Sequence, residues 1–316
     1  DCKLEVVFHG WEPLTACAVF FRRALPRLRQ TCTARRRRLS VQSNLWLLTD
    51  ELCDLFAEHS VSLGTSLDGT EEITDAQRGQ GYFRRTLAGI ERARRHGLGM
   101  GCICTFTRQS ARRAGEIFDF FVREGLDFAV HAAVPPLIGS RQFQPDGLVP
   151  DDWSVSPEAH GDLLVSLLDS YLANLSRVRI HTLDALCRSV SAGEGGICTF
   201  RDCLGDYLAV APDGGIYPCQ RFAGHPGFRL GHVQDLPNRD QLEESPAWRL
   251  FRQREERMAE ECGGCPYFAF CKGGCPYNAL AAGGGVFRAL RDPCCPAYQR
   301  IFSHITERAL GEVFSE

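Results

Sequence analysis

Nine of the chain's sixteen cysteines fall between Ile197 and Pro296, at spacings that chance does not produce. Cys198-x4-Cys203 is followed by Gly214-x4-Cys219, then by Cys262-x2-Cys265-x5-Cys271-x3-Cys275, and finally by the adjacent pair Cys294-Cys295. Eight thiolates make two sets of four, which is what two [4Fe–4S] clusters require. Structural zinc also takes four thiolates and also uses Cys-x2-Cys. The x5 and x3 gaps, and the long reach back to Cys198 and Cys203, do not form two separate zinc knuckles. A secretory disulfide framework is the third use of so many cysteines. Such frameworks staple small domains, whereas 316 residues with 44 % hydrophobic content can build a core without staples.

A second group of polar residues lies in the first half, in short loops. These are His9-Gly10-Trp11-Glu12-Pro13, Ser43-Asn44 and Ser66-Leu67-Asp68-Gly69, with Arg78 twelve residues after Ser66. Alone, a Gly-x-Glu loop or a Ser-x-Asp-Gly turn reads as a turn and nothing more. Their order along the chain gives them weight, because each follows an apolar stretch that predicts a strand. Strands are expected at Leu4–Phe8, Leu39–Gln42, Val61–Ser66, Leu98–Phe106 and Phe128–Val134. Helices are expected near Leu14–Gln30, Thr49–His59, Tyr82–His96 and Ser110–Glu124. That alternation predicts βαβ units and a parallel sheet, in which ligands collect at the carboxyl ends of the strands.

The alternation stops after Val134-Pro135-Pro136, where a Pro- and Gly-rich loop runs to about Pro150. Helices near Pro157–Leu175 and Thr182–Ala192 then lead to the cysteine-rich region. There Tyr207–Ala211 and Ile216–Tyr217 read as a hairpin across Pro212-Asp213-Gly214-Gly215, with Cys219 just beyond it. The linear division is therefore 1–195 and 196–316. A net charge of −3 gives no reason to expect nucleic acid or an anionic membrane as partner. No apolar run approaches the roughly 18 residues of a bilayer span.

The cysteine order, with Cys271-Lys272-Gly273-Gly274-Cys275 and Ile216-Tyr217-Pro218-Cys219, resembles the SPASM domain of radical S-adenosylmethionine (SAM) enzymes. The resemblance runs through Gly231-His232-Val233 to the C-terminal helix. It implies two interleaved auxiliary [4Fe–4S] clusters. Cys198, Cys203, Cys219 and Cys275 would hold the first. Cys262, Cys265 and Cys271 plus one of the final pair would hold the second; Cys295 is favoured because Cys295-Pro296-Ala297-Tyr298 resembles the family's Cys-x-x-Tyr, with Cys294 as the alternative. Phe8-His9-Gly10-Trp11-Glu12-Pro13 is similar to the family's Gly-Gly-Glu-Pro stretch, with Trp11 in place of the second glycine. The resemblance implies that His9, Gly10 and Glu12 lie at SAM with the Glu12 carboxylate receiving its amino group, that Ser66 belongs to the next SAM-contacting segment with Arg78 pairing with the methionyl carboxylate, and that Val134 packs on adenine.

The implied fold is α/β, a partial (β/α)6 TIM-like barrel followed by the SPASM domain. The family's Cys-x3-Cys-x2-Cys, which binds the catalytic cluster, does not occur in this sequence. The expectation is that it precedes Asp1, with the first βα unit, and that this stretch alone does not cleave SAM. The implied activity is radical modification of a ribosomally made peptide or protein, in the cytoplasm of an anaerobe, with flavodoxin or ferredoxin as electron donor. Anaerobic sulfatase maturases carry an aspartate directly after the hairpin cysteine; here that residue is Gln220, which makes formylglycine formation the second choice. A non-catalytic peptide-binding protein holding clusters or zinc is the third.

Other features carry blander readings. Arg35–Arg38 is read as a solvated helix end, and Cys17, Cys32, Cys53 and Cys187 as small core residues. Cys102 and Cys104 share one strand face and could serve a ligand, and His131 is balanced between structural and substrate roles.

Overall fold

The computed structural model describes residues 3–10, 12–31, 36–137 and 153–313. By packing, the chain divides into two compact units. The first comprises 1–106, 113–131 and 170–181; the second comprises 107–112, 132–169 and 182–316.

The first unit is built on a curled half-barrel sheet of five strands in the order β1 (Lys3–Phe8), β2 (Arg36–Gln42), β3 (Val61–Ser66), β4 (Met100–Phe106) and β5 (Phe128–Ala132). The pairs β1–β2, β2–β3 and β3–β4 are parallel. Between the strands run α1 (Cys17–Thr31), α2 (Asp50–Glu58), α3 (Glu71–Arg78), α4 (Tyr82–Arg95) and α5 (Ala114–Glu124). The expected strands and helices are all present, within a few residues of their predicted ends. Phe21, Phe56, Phe121 and Phe128 are fully buried and fill the space beneath the sheet. Thr49 caps α2 by accepting the Leu52 N–H, and Asp50 and Glu51 follow in its first turn, where the helix dipole favours acids.

Three expectations change. Helix α3 was not foreseen, because it buries only Ile73 and Thr74 and so presents no apolar stripe to read. The arginine run is strand rather than helix end: Arg36–Arg38 open β2, paired with Lys3–Glu5, so that Arg38 lies opposite Glu5. Arg35 lies outside the described residues, as do Trp11, Cys32 and the loop 138–152. Cys17 is exposed, at φ +56° on the entry to α1, whereas Cys53 is buried as expected and Cys187 half-buried.

In the second unit, β6 (Ala209–Val210) and β7 (Gly215–Tyr217) form the expected antiparallel hairpin, and β8 (Gly231–His232) adds a third strand beside β7. The turn is closed by the Asp213 carboxylate, which accepts the Gly215 N–H at 2.9 Å. Around this sheet lie α6 (Pro157–Leu172, whose last turn falls in the first unit), α7 (His181–Ala192), α8 (Arg239–Glu243), α9 (Pro246–Cys262), α10 (Phe268–Cys271), α11 (Pro276–Ala282) and α12 (Cys295–Val313). Tyr217, Phe222, Phe251, Tyr277 and Leu280 form a core cluster. The packing boundary differs from the linear one at 195 because segments before it are bonded into this unit. Leu137 N–H donates to Tyr277 Oη at 3.1 Å, and Asp169 on α6 receives His304 and Arg308 of α12. Among the described residues, no helix is long and apolar enough to cross a membrane.

Candidate functional site

The cysteines of the second unit sit at element ends, where a thiol can point away from its own backbone. Cys198 opens a 3-10 turn, Cys219 follows β7, and Cys275 caps the N-terminus of α11. Cys262 ends α9, Cys271 ends α10, and Cys295 begins α12. Cys265 lies in the turn after α9, its N–H on the Cys262 carbonyl at 2.9 Å. Burial pushes the Cys275 and Cys295 thiols up, although both sit at helix N-termini.

These thiols fall into two neighbourhoods. Burial pushes Cys203 up to about 12, and the nearby Cys275, Cys219, Glu255 and Cys198 add to the rise. Burial likewise pushes Cys219 up to about 11, with Cys275 and Cys198 again among its neighbours. In the other neighbourhood, burial takes Cys271 up to about 12, and Cys295, Cys265 and Cys262 contribute. Cys262, Cys265, Cys271 and Cys295 all line one cavity of about 60 Å³, walled further by Tyr267 and Phe302. Cys294 does not line it. Cys294 is 5 % exposed, donates its backbone N–H to Asp292 Oδ1 at 2.8 Å, and lies beside Asp292 and Tyr298 instead.

The interleaving has a local cause. Between Cys271 and Cys275 the residues Lys272, Gly273 and Gly274 all take positive φ (+52°, +76°, +76°), reversing the chain so that its two ends face different quartets. Gly274 has a second constraint: a Cβ there would lie 2.4 Å from Cβ of Asp292. Asp292 is fully buried and accepts four hydrogen bonds, from Cys275 N (2.9 Å), Asn278 Nδ2 (2.9 Å), Cys294 N (2.8 Å) and Tyr298 Oη (3.1 Å). Arg254, also buried, holds the same turn by donating to the carbonyls of Leu290, Gly273 and Gly274.

The chemistry of the donors fits iron–sulfur. Each quartet is four cysteines, and burial holds most of them as neutral thiols until a positive group makes the thiolates favourable. Among the described residues, no group of three or more His, Cys, Asp or Glu side chains converges tightly enough for a single metal ion. A cubane cluster takes one thiolate at each of four separate irons.

In the first unit, the Glu12 carboxylate ties two loops together. Oε1 accepts the Leu14 N–H at 3.0 Å and the Ser43 hydroxyl at 2.6 Å, and Oε2 accepts the Asn44 N–H at 2.9 Å. His9 and Gly10 are exposed beside it; His9 Nδ1 accepts the Gly10 N–H at 2.6 Å, and Gly10 sits at φ +100°, where glycine is favoured. Ser66 is half-buried at the end of β3. Arg78 is held by Asp68 in a bidentate pair, Nε to Oδ2 at 2.6 Å and Nη2 to Oδ1 at 2.8 Å, and its guanidinium lies 5.4 Å from the Tyr82 ring centroid. Asp68, 1 % exposed, also accepts from Thr105 N at 2.9 Å and Gln77 Nε2 at 2.8 Å. Val134, half-buried, lies two residues past the end of β5 and belongs to the second unit.

Cys102 and Cys104 share a buried face of β4, and burial pushes both thiols up, Cys102 to about 12. His131 is exposed at the end of β5. Sequence reasoning named Asp68 only as part of a turn, and it missed Arg221, Arg254 and Asp292. None of these has a spacing signal. The Asp292-Pro293 step before the cysteine pair is the one local hint, a turn signal at the start of α12.

The half-barrel and the paired cysteine quartets define a radical SAM enzyme with a C-terminal SPASM domain. A family model described as SPASM, an iron–sulfur cluster-binding domain, matches residues 198–266. The chain belongs to the family of an uncharacterised Methanothermobacter thermautotrophicus protein, 43 % identical over 60 % of this chain and 69 % of that one, and is related to the anaerobic sulfatase-maturating enzymes. The cysteine-type anaerobic sulfatase-maturating enzyme of Clostridium perfringens strain 13 is 26 % identical over 86 % of this chain and 74 % of its own. The structure of native anSMEcpe with bound AdoMet and Cp18Cys peptide shares the fold, with TM-score 0.81 at 22 % identity over 99 % of this chain and 86 % of that one.

Proposed function

We propose that this radical SAM/SPASM enzyme modifies a peptide or protein, and that its two cysteine quartets hold two auxiliary [4Fe–4S] clusters. The observation that carries the reading is the pair of thiol neighbourhoods, one of them lining a single cavity with four cysteines. Bound SAM, reduced by one electron from a [4Fe–4S] cluster, supplies a radical able to abstract hydrogen from an unactivated carbon. In this proposal Glu12, with His9 and Gly10, receives the SAM ammonium, a charge-assisted contact for a carboxylate. Ser66 and Arg78 receive the methionyl carboxylate, and Asp68 holds the guanidinium still. Cys198, Cys203, Cys219 and Cys275 ligate the first auxiliary cluster; Cys262, Cys265, Cys271 and Cys295 ligate the second. A low-potential donor such as flavodoxin or ferredoxin supplies the electron.

A peptide bound to anSMEcpe supports a peptide partner, and the sulfatase-maturating relatives support formylglycine formation as the second reading. Against that second reading stands Gln220. It is exposed, directly after Cys219, and its neutral amide cannot take up a proton as a carboxylate does. The test is to incubate the full-length, anaerobically reconstituted enzyme with cysteine- and serine-type sulfatase peptides. SAM cleavage without any formylglycine by mass spectrometry is the expected result. Conversion of the target residue would establish the sulfatase-maturating reading in its place.

A further inference from the structure

The first quartet is touched by one cation in a way that the second is not. Arg221, two residues after Cys219, presents Nη1 to Cys275 Sγ at 3.8 Å, and its backbone N–H bonds to the Cys219 sulfur. Two of the four sulfurs are thus contacted by one residue. The guanidinium is fixed in place by two further contacts. Nη1 donates to Asn278 Oδ1 at 2.8 Å, and the group stacks 3.7 Å from the Tyr277 ring centroid. Asn278 in turn is anchored on buried Asp292 at 2.9 Å. In the second quartet the side chain at a sulfur is neutral, Gln299 Nε2 at 3.8 Å from Cys265 Sγ, while Arg291 lines the cavity and acts on Cys262 and Cys295 through its charge.

We infer that Arg221 sets the reduction potential of the cluster held by the first quartet, by placing a fixed positive charge and two N–H groups on its thiolates. The inference rests on the reading of Cys198, Cys203, Cys219 and Cys275 as cluster ligands. Adding one electron to a cluster makes it more negative. Hydrogen bonds to its sulfurs and nearby positive charge stabilise that reduced form more than the oxidised one, and so raise the potential. Glu255, whose charge adds to the rise of Cys203, opposes the effect from a carboxylate that accepts the Leu204 N–H at 3.2 Å, and Arg254 and Asp292 act less directly than Arg221. Arg254 spends its donors on three backbone carbonyls. Asp292 opposes the effect, but its two oxygens are covered by four donors. Arg221 alone among these groups contacts the sulfur itself.

The experiment is an anaerobic redox titration of the reconstituted full-length enzyme, followed by electron paramagnetic resonance, on wild type, Arg221→Gln and Arg221→Lys. Cys219→Ala and Cys271→Ala identify which signal belongs to which quartet. In Arg221→Gln, the first-quartet cluster is expected to be harder to reduce by tenfold or more, about 59 mV for a one-electron couple. The second-quartet cluster should stay put. Arg221→Lys, which keeps the charge but loses the planar fork, should shift by less than half as much. Unchanged potentials in a Gln variant that retains its iron would overturn the inference while leaving the ligand reading intact, as would a Lys variant that shifts as far as Gln. If Cys219→Ala loses neither iron nor a signal, the ligand reading falls, and the role of Arg221 falls with it.

Discussion

Alanine at Cys203, Cys219 or Cys275 should each remove about four irons per chain from the reconstituted protein, and so should alanine at Cys262, Cys271 or Cys295. Alanine at Cys294 should remove none. The two sets are expected to act independently, so that Cys219→Ala leaves the second cluster's signal and Cys271→Ala leaves the first's. The reason lies in what surrounds each thiol. Cys203, Cys219 and Cys275 are one another's electrostatic neighbours, and Cys271 has Cys262, Cys265 and Cys295 as its own. Cys294 has Asp292 and Tyr298 as its stronger neighbours, with Cys275 a weaker one, and it does not line the cavity of the second set. Its loss leaves a small void, a change in stability and not in iron. Metal and acid-labile sulfide analysis, with the absorption near 400 nm, decides the matter. Retention of full iron by Cys295→Ala together with loss in Cys294→Ala would reverse the assignment of the last ligand. Zinc in place of iron would defeat it entirely.

Much of this arrangement was legible in the sequence because cysteine is a sparse residue whose spacing carries information. The choice of Cys295 over Cys294 came from a motif; in the structure Cys295 begins α12 and lines the cavity, and Cys294 lies beside Asp292 and Tyr298. Strands β3 and β4 were legible as short apolar stretches between helices, and their burial alternates so that one face of each is the more covered. What was not legible depends on long-range packing. Arg36–Arg38 form a strand only because β1 lies alongside. Helix α3 shows no stripe because it buries two side chains. Asp292 and Arg254 look like any charged residues until the fold encloses them, where each is held by three or more hydrogen bonds. Buried polar groups of this kind must find partners, and the partners are 17 to 36 residues away for the bonds that hold the turn at Gly273 and Gly274.

The same logic makes Asp68 a sensitive position of the first unit. Asp68→Ala should destabilise the protein by about 3–5 kcal/mol, because it strands a guanidinium whose side chain is 22 % exposed and whose partner was 1 % exposed. Arg78 is not the sole group left without its bond. Thr105 N–H on β4 and Gln77 Nε2 on α3 lose the same carboxylate, so β4 and the helix that carries Arg78 lose their common anchor. Asp68→Asn keeps an oxygen for Thr105 and for one Arg78 donor but loses the charge, and a smaller loss of about 1–3 kcal/mol follows. The functional consequence separates from the structural one in the asparagine variant. At a temperature where Asp68→Asn is fully folded by circular dichroism, its affinity for SAM measured calorimetrically should fall tenfold or more, since Arg78 would be free to leave the orientation that Nε and Nη2 now fix. An asparagine variant that melts with wild type and binds SAM as tightly would show that Asp68 neither holds the fold nor aims the arginine. One that melts early yet binds normally would confine Asp68 to the fold. Loss of binding in a folded variant is the outcome the geometry requires, because a bidentate pair restrains a guanidinium in its plane as a single hydrogen bond cannot.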